Sequence, residues 1–175
     1  KGKLMKFTKT RKVKSPQRGL STDAGIDFYV PEFTDDLLQH IKDKSLSDVT
    51  IKTTKDNDTV LVFSPGDNYL IPLGVKVQVA SGEALVAFNK SGIGSKKGLC
   101  KLAEVVDEHY SGEVHLNMVN TTNKTCLLPF NTKAIQFLQL RISQTTPEEV
   151  TNEEYNTIMS GSLRGEGGFG STGTN

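Results

Sequence analysis

The segment Val105-Val106-Asp107-Glu108-His109-Tyr110-Ser111-Gly112-Glu113 sets a carboxylate three residues before an aromatic ring, between two apolar stretches. A carboxylate that holds a water within hydrogen-bond reach can take its proton, and a tyrosine beside it can bound a sugar. The same pattern also suits a plain turn in which Asp and Gly serve backbone geometry. A second segment, Asn89-Lys90-Ser91-Gly92-Ile93-Gly94-Ser95-Lys96-Lys97-Gly98, follows the apolar run Ala84 to Phe88. Small residues, hydroxyls and lysines after a strand make a phosphate cradle, with main-chain N–H groups and Ser91 as donors. Its glycines do not follow G-x-x-x-x-G-K-[ST], so Walker-type mechanics do not transfer, and a basic turn is the competing reading. The third segment, Arg164-Gly165-Glu166-Gly167-Gly168-Phe169-Gly170-Ser171-Thr172-Gly173, is nearly all glycine and small residues around one arginine and one ring. Such a stretch holds no core of its own, and a linker has the same composition. A guanidinium, however, suits a phosphate and a lone Phe can lie flat on a base, so the segment also reads as a tail that closes over a ligand.

Asp27 sits between Ile26 and Phe28, and an acid within an apolar run needs a salt bridge, a backbone cap or a metal shell. His40, His109 and His115 show no zinc-ligand spacing, and no G-x-S-x-G elbow supports a serine hydrolase. A net charge of +1 excludes a strong general attraction to nucleic acid. The charge is unevenly placed, with eight Lys or Arg and no acid in residues 1–18. The alternation Met5-Lys6-Phe7-Thr8 favours a solvated strand edge there over a nucleic-acid arm. Cys100 and Cys126 follow no metal spacing and read as reduced thiols, which fits a cytoplasmic protein; no apolar run reaches the length of a membrane span.

The elements that must carry these residues are mostly short strands. Alternating or β-branched runs at 26–30, 60–63, 74–79, 85–88, 113–119 and 134–142, separated by glycine, proline and asparagine, predict an all-β barrel or sandwich. One segment predicts a helix: Thr34 as cap, Asp35 and Asp36 at its start, Leu37, Leu38 and Ile41 on one face, Lys42 and Lys44 at its end. Asp48 to Lys52 and Thr59 to Phe63 predict a hairpin around Asp56-Asn57-Asp58, and Pro65-Gly66-Asp67-Asn68 and Ser81-Gly82 predict turns. From about Pro147 the chain turns acidic and then glycine-rich. The expected organisation is a domain over 1–146 and a flexible C-terminal arm over 147–175, carrying the Gly-rich segment 164–173.

Taken in order, Ala24-Gly25-Ile26-Asp27, Lys90-Ser91-Gly92, Val106 to Glu113, Lys133-Ala134-Ile135-Gln136-Phe137 and Arg164 to Gly173 resemble the five motifs of the trimeric dUTPases. The resemblance implies an all-β, jelly-roll-like β-barrel, a homotrimer with shared active sites, and Mg2+-assisted hydrolysis of dUTP to dUMP and pyrophosphate. By position, Asp107 would orient and deprotonate the water that attacks the α-phosphorus. Tyr110 would lie under the sugar and exclude a 2′-hydroxyl. Lys90, Ser91, Gly92 and Gln136 would grip phosphates, and main-chain groups at Val105 and Val106 would read the base edge. Asp27 would reach magnesium only through water. Arg164 would clamp the γ-phosphate and Phe169 would cover the uracil, with Gly170 and Ser171 beside it as a lid. Lys90 and Lys133 stand where the family usually has arginine, which keeps charge and loses the planar fork. The segment from Gly98 to Asp107 looks short for the family's uracil hairpin. Residues of about 35–59 read as an insertion relative to minimal members, either surface elaboration or a docking surface for a protein partner. The related dCTP deaminases would need a glutamate where this chain has Asn117.

Overall fold

A computed structural model describes residues 5–163, 165 and 167. Two compact units divide the chain, Lys1–Ser143 and Gln144–Asn175. Arg164, Phe169, Gly170 and Ser171, to which the sequence assigns lid contacts, lie outside the described residues.

The first unit is all-β in class. In chain order its described elements are β1 (Lys6–Lys9), β2 (Ile26–Tyr29), α1 (Asp35–Lys44), β3 (Thr50–Thr53), β4 (Thr59–Phe63), β5 (Asn68–Pro72), β6 (Val75–Gln78), β7 (Glu83–Asn89), α2 (Ser91–Lys97), β8 (Leu99–Lys101), β9 (Val105–Val106), β10 (His115–Asn120), β11 (Cys126–Pro129) and β12 (Lys133–Arg141). The strands form four sheets, ordered β1-β6, β5-β10-β8, β11-β4-β3 and β2-β12-β7-β9. All the described pairings are antiparallel, as expected of sheets with one face buried and one solvated. Phe28, Leu61, Phe63, Tyr69, Ile71, Leu85, Leu116, Leu128 and Ile135, drawn from three of these sheets, share one core.

The helix at 35–44 forms as the sequence predicts. Thr34 Oγ1 accepts from the Leu37 N–H, and the Ser45 N–H closes the other end on the Ile41 carbonyl. Leu37, Leu38 and Ile41 are buried in the shared core, so the apolar face of α1 is already spent within the unit. The hairpin of β3 and β4 also forms, with Asn57 at φ 60° in its turn.

Two segments depart from the expectation. Residues 91–97 are a short helix and not a loop, anchored by buried Ile93 and ended by Gly98 at φ 62°, a left-handed cap that glycine adopts without strain. Residues 98–107 are not a hairpin of paired strands: β8 joins β10 whereas β9 joins β7, so the chain crosses between two sheets. In the second unit, α3 (Asn152–Ile158) starts with a capping box, in which Thr151 and Glu154 bond each other's main-chain N–H.

Candidate active site

The sheet β2-β12-β7 aligns three motifs in one row. Gln136 on β12 stands opposite Asp27 on β2 and Phe88 on β7, so the side chains of all three project from one face. Gln136 Nε2 donates to the Asn89 carbonyl at 3.2 Å, at the point where β7 leads into α2. Gly25 gives the amide its room: a Cβ there would lie 2.3 Å from Gln136 Oε1.

Asp27 finds its partner in two lysines. Its Oδ1 accepts from Lys90 Nζ, and its Oδ2 from Lys133 Nζ at 3.0 Å. Lys133 reaches it because β12 advances from 133 to 135 while β2 moves only from Tyr29 to Phe28. That bulge changes which face the lysine presents, which a regular strand would have turned away from Gln136. Asp27 is 5% exposed. Burial pushes its carboxyl up, but hydrogen bonds and charge from Lys90 and Lys133 outweigh this and hold it below the ordinary 3.8. Asp27 in turn raises Lys133.

A folded pKa below the unfolded one contributes stability above pH 3.8, which is lost as pH falls through the folded value. Asp27→Asn should therefore lower the thermal midpoint at neutral pH and flatten its decline below about pH 4. An unchanged acid limb in circular-dichroism melts would mean that the pair contributes nothing.

Beside this row stands the start of α2. Its first N–H groups, at Ser91 and Gly92, have no partner available within the helix, and Lys90 at the cap position makes no side-chain cap bond. A Cβ on Gly92 would meet nothing within 4 Å, so the main chain is open to close approach. Two lysines, an amide and two outward N–H groups make an anion-binding corner.

The carboxylate and ring of the third motif lie elsewhere in the same sheet. β9 pairs with the first half of β7, Val106 opposite Leu85 and Val105 opposite Val86. β9 is the edge of the sheet, which leaves the main-chain groups on its outer side without a strand partner. Asp107 follows, exposed, and no described residue bonds its carboxylate. Its carbonyl accepts from the Tyr110 N–H at 3.2 Å, which closes a turn spanning both residues. Tyr110 Oη donates to the Glu113 carbonyl at 2.8 Å. Glu108 is engaged differently, its Oε2 accepting from the Gly82 N–H at 2.8 Å.

Distance separates the two halves. Continuing the β7–β9 register sets Asp107 opposite Ala84, six residues before Lys90, which is about 20 Å along a strand. Within one chain, therefore, the structure brings Asp27, Lys90 and Gln136 together beside Ser91 and Gly92, and sets Asp107 and Tyr110 toward the other end of β7. A cavity of about 540 Å³ lined by Lys9, Lys12, Lys14 and Glu32 holds residues of neither half. Sequence reasoning missed the Lys–Asp–Lys pairing; the two lysines flanking separate motifs were its available signal. At the deaminase position, Asn117 is half-buried and its Oδ1 has no partner among the described residues.

No described helix is long and apolar enough to cross a membrane. The dUTPase family model matches residues 55–173. Deoxyuridine 5′-triphosphate nucleotidohydrolase of Neisseria meningitidis serogroup B is 32% identical over 122 residues, 67% of this chain and 76% of that protein. The enzyme of the same name from Shewanella amazonensis is 34% identical over 120 residues, 67% and 75% of the two chains. Among solved structures, a variant Staphylococcus bacteriophage 80alpha dUTPase with dUpNHpp has a TM-score of 0.70 at 20% identity, covering 98% of this chain and 99% of that one. A variant dUTPase from phage phi11 of S. aureus has a TM-score of 0.65 at 16% identity, covering 85% and 97%. These likenesses share the all-β, jelly-roll-like fold, and with the matched sequence they show that the chain belongs to the dUTPase family.

Proposed function

We propose that this chain hydrolyses dUTP to dUMP and pyrophosphate, in active sites shared between copies of a homotrimer. The observation that carries the reading is an exposed Asp107 carboxylate, unengaged by any described residue, in one turn with Tyr110. In this reading Asp107 takes a proton from water as its oxygen attacks the α-phosphorus. The bond from that phosphorus to the oxygen bridging toward the β-phosphate breaks, and pyrophosphate leaves. A carboxylate base positioned this way contributes about 10² to 10⁴ in rate. Tyr110 lies along the deoxyribose and leaves no room for a 2′-hydroxyl, and the outer edge of Val105 and Val106 reads uracil.

Lys90, Ser91, Gly92 and Gln136 of a neighbouring copy hold the phosphates, since within one chain they are too distant from Asp107. Arg164 clamps the γ-phosphate and Phe169 covers the base, with Gly170 and Ser171 completing the lid. Dividing the site among copies follows naturally from cyclic symmetry, in which each interface repeats the same contacts.

The donors of the corner suit phosphate oxygens, so magnesium would be held as its triphosphate complex, where it would neutralise phosphate charge. Both oxygens of Asp27 are engaged by ammonium groups, which oppose direct ligation of a cation, so Asp27 would meet the metal only through water. The phi11 structure concerns a structural Mg(II) ion of that protein. A protein partner at 35–59 has no support here, because the apolar face of α1 is covered by the unit's own core.

The test is incubation of the full chain with Mg2+ and dUTP, dCTP, dTTP or UTP in turn, with products resolved by chromatography. The expected result is dUMP plus pyrophosphate from dUTP alone. Conversion of dCTP to dUTP, or no product from any nucleotide, would overturn the reading.

A further inference from the structure

We propose that Arg11, Glu113 and the His40–His115 pair are positioning residues for Tyr110, through which the insertion helix α1 sets how strictly the site excludes a 2′-hydroxyl. The proposal rests on the reading of Tyr110 as the sugar-facing wall. Tyr110 is 44% exposed, so core packing does not fix its ring. Two local contacts do. Its Oη donates to the Glu113 carbonyl at 2.8 Å, and the ring crosses Gly112 so closely that a Cβ there would lie 2.5 Å from Oη. Where Glu113 sits therefore decides where the ring sits.

Glu113 is held from two directions, and both lead to the insertion. Its Oε1 accepts from Arg11 Nε at 3.0 Å and from the Gly74 N–H at 2.8 Å. Arg11 continues through Nη1 to Asp36 Oδ2 on α1, at 2.6 Å. The Glu113 carbonyl also accepts from His115 Nδ1 at 2.7 Å, and His115 Nε2 faces His40 Nε2 of α1 at 3.2 Å. A carbonyl can only accept, so His115 carries its proton on Nδ1 and offers a lone pair at Nε2 when neutral. His40 then donates from Nε2. Burial, His115, Arg11 and Lys44 hold His40 below its ordinary 6.5, against the pull of Glu113. His40 is therefore the neutral donor of the pair at neutral pH, and the link from α1 to the Glu113 carbonyl runs through its Nε2–H.

The experiment compares kcat/KM for dUTP and UTP. The ratio cancels any effect that serves both nucleotides equally. Arg11→Met is expected to lower the dUTP/UTP ratio about tenfold, because small misplacements of a positioning group carry costs of this order. His40→Leu, which cannot donate to His115, should lower the ratio in the same direction, and His40→Gln, whose amide donates, should restore it. A second readout does not depend on turnover: in ¹³C-tyrosine-labelled full chain, the Tyr110 signal is assigned by its loss in Tyr110→Phe. It should move in Arg11→Met and in His40→Leu but not in His40→Gln. An unmoved signal and ratio in folded Arg11→Met would overturn the proposal. Should Arg11→Met fail to fold, an unmoved signal and ratio in His40→Leu would overturn it instead. Failure of wild type to hydrolyse dUTP would sink the functional reading, and the labelled tyrosine alone would then decide this one.

Discussion

Asp107→Asn is expected to lower dUTP turnover by about 10² to 10⁴ while leaving nucleotide affinity within a few-fold. Asparagine keeps the shape and can still hydrogen-bond a hydroxyl, but it cannot take a proton from water at neutral pH. The structure makes the substitution clean. Asp107 is exposed and no described residue engages its carboxylate, so nothing native breaks when the charge goes. Its part in the turn is played by the main chain, whose carbonyl accepts the Tyr110 N–H and is untouched by the change. The thermal midpoint should therefore match wild type, which separates lost chemistry from lost fold. Glu108→Gln, one residue on, removes a charge that bonds the Gly82 N–H and should affect stability before turnover. Single-turnover measurements, with calorimetric titration of a non-hydrolysable dUTP analogue, give both quantities. Full turnover in Asp107→Asn would mean that another group is the base.

Much of the fold could be read from the sequence, for local reasons. α1 announces itself through Thr34, its paired acids and the spacing of Leu37, Leu38 and Ile41, all of which act within the helix. β4, β7 and β12 are long enough to carry a pattern. β8 and β9, at three and two residues, are too short for any periodicity, and their sheets are chosen by distant partners. α2 hides because Gly92 and Gly94 are poor helix formers; buried Ile93 and the left-handed Gly98 hold it, and both are tertiary facts. α3 was legible in Thr151 and Glu154 but is masked by the acidic and glycine-rich composition around it.

The candidate site divides in the same way. Each motif could be read along the chain, as could the need of Asp27 for a partner. That Lys90 and Lys133 both supply it could not, because Lys90 follows Asp27 at a separation of 63 and a bulge aims Lys133. Lys90 and Lys133 thus have a structural task of their own, in holding Asp27. Each reaches one carboxylate oxygen as a separate point charge, which two ammonium groups do without the fork a guanidinium would bring.

Mixing two inactive variants should restore activity, and the geometry of β7 is the reason. Asp107 lies beside the start of that strand and Lys90 at its end, about 20 Å apart along a strand, whereas water and triphosphate must meet within one substrate. In the proposed site, therefore, the base and the phosphate grip for one nucleotide come from different chains. Asp107→Asn lacks the base but keeps the phosphate corner; Lys90→Gln keeps the base and a hydrogen bond to Asp27 but loses a phosphate charge. Each alone should be impaired at every site of a symmetric assembly. When the two are unfolded and refolded together at equal amounts, an interface works if the Lys90→Gln chain gives Asp107 and its neighbour gives Lys90. In a cyclic trimer with random assembly that holds at about one site in four, so the mixture should recover about a quarter of wild-type turnover. Refolding each variant alone and combining them afterwards should recover none until subunits exchange. A site contained within single chains would give the opposite result: no recovery in the co-refolded mixture, whatever the assembly state. Size-exclusion chromatography with light scattering on the same samples gives the number of copies, and with it the fraction against which recovery is judged.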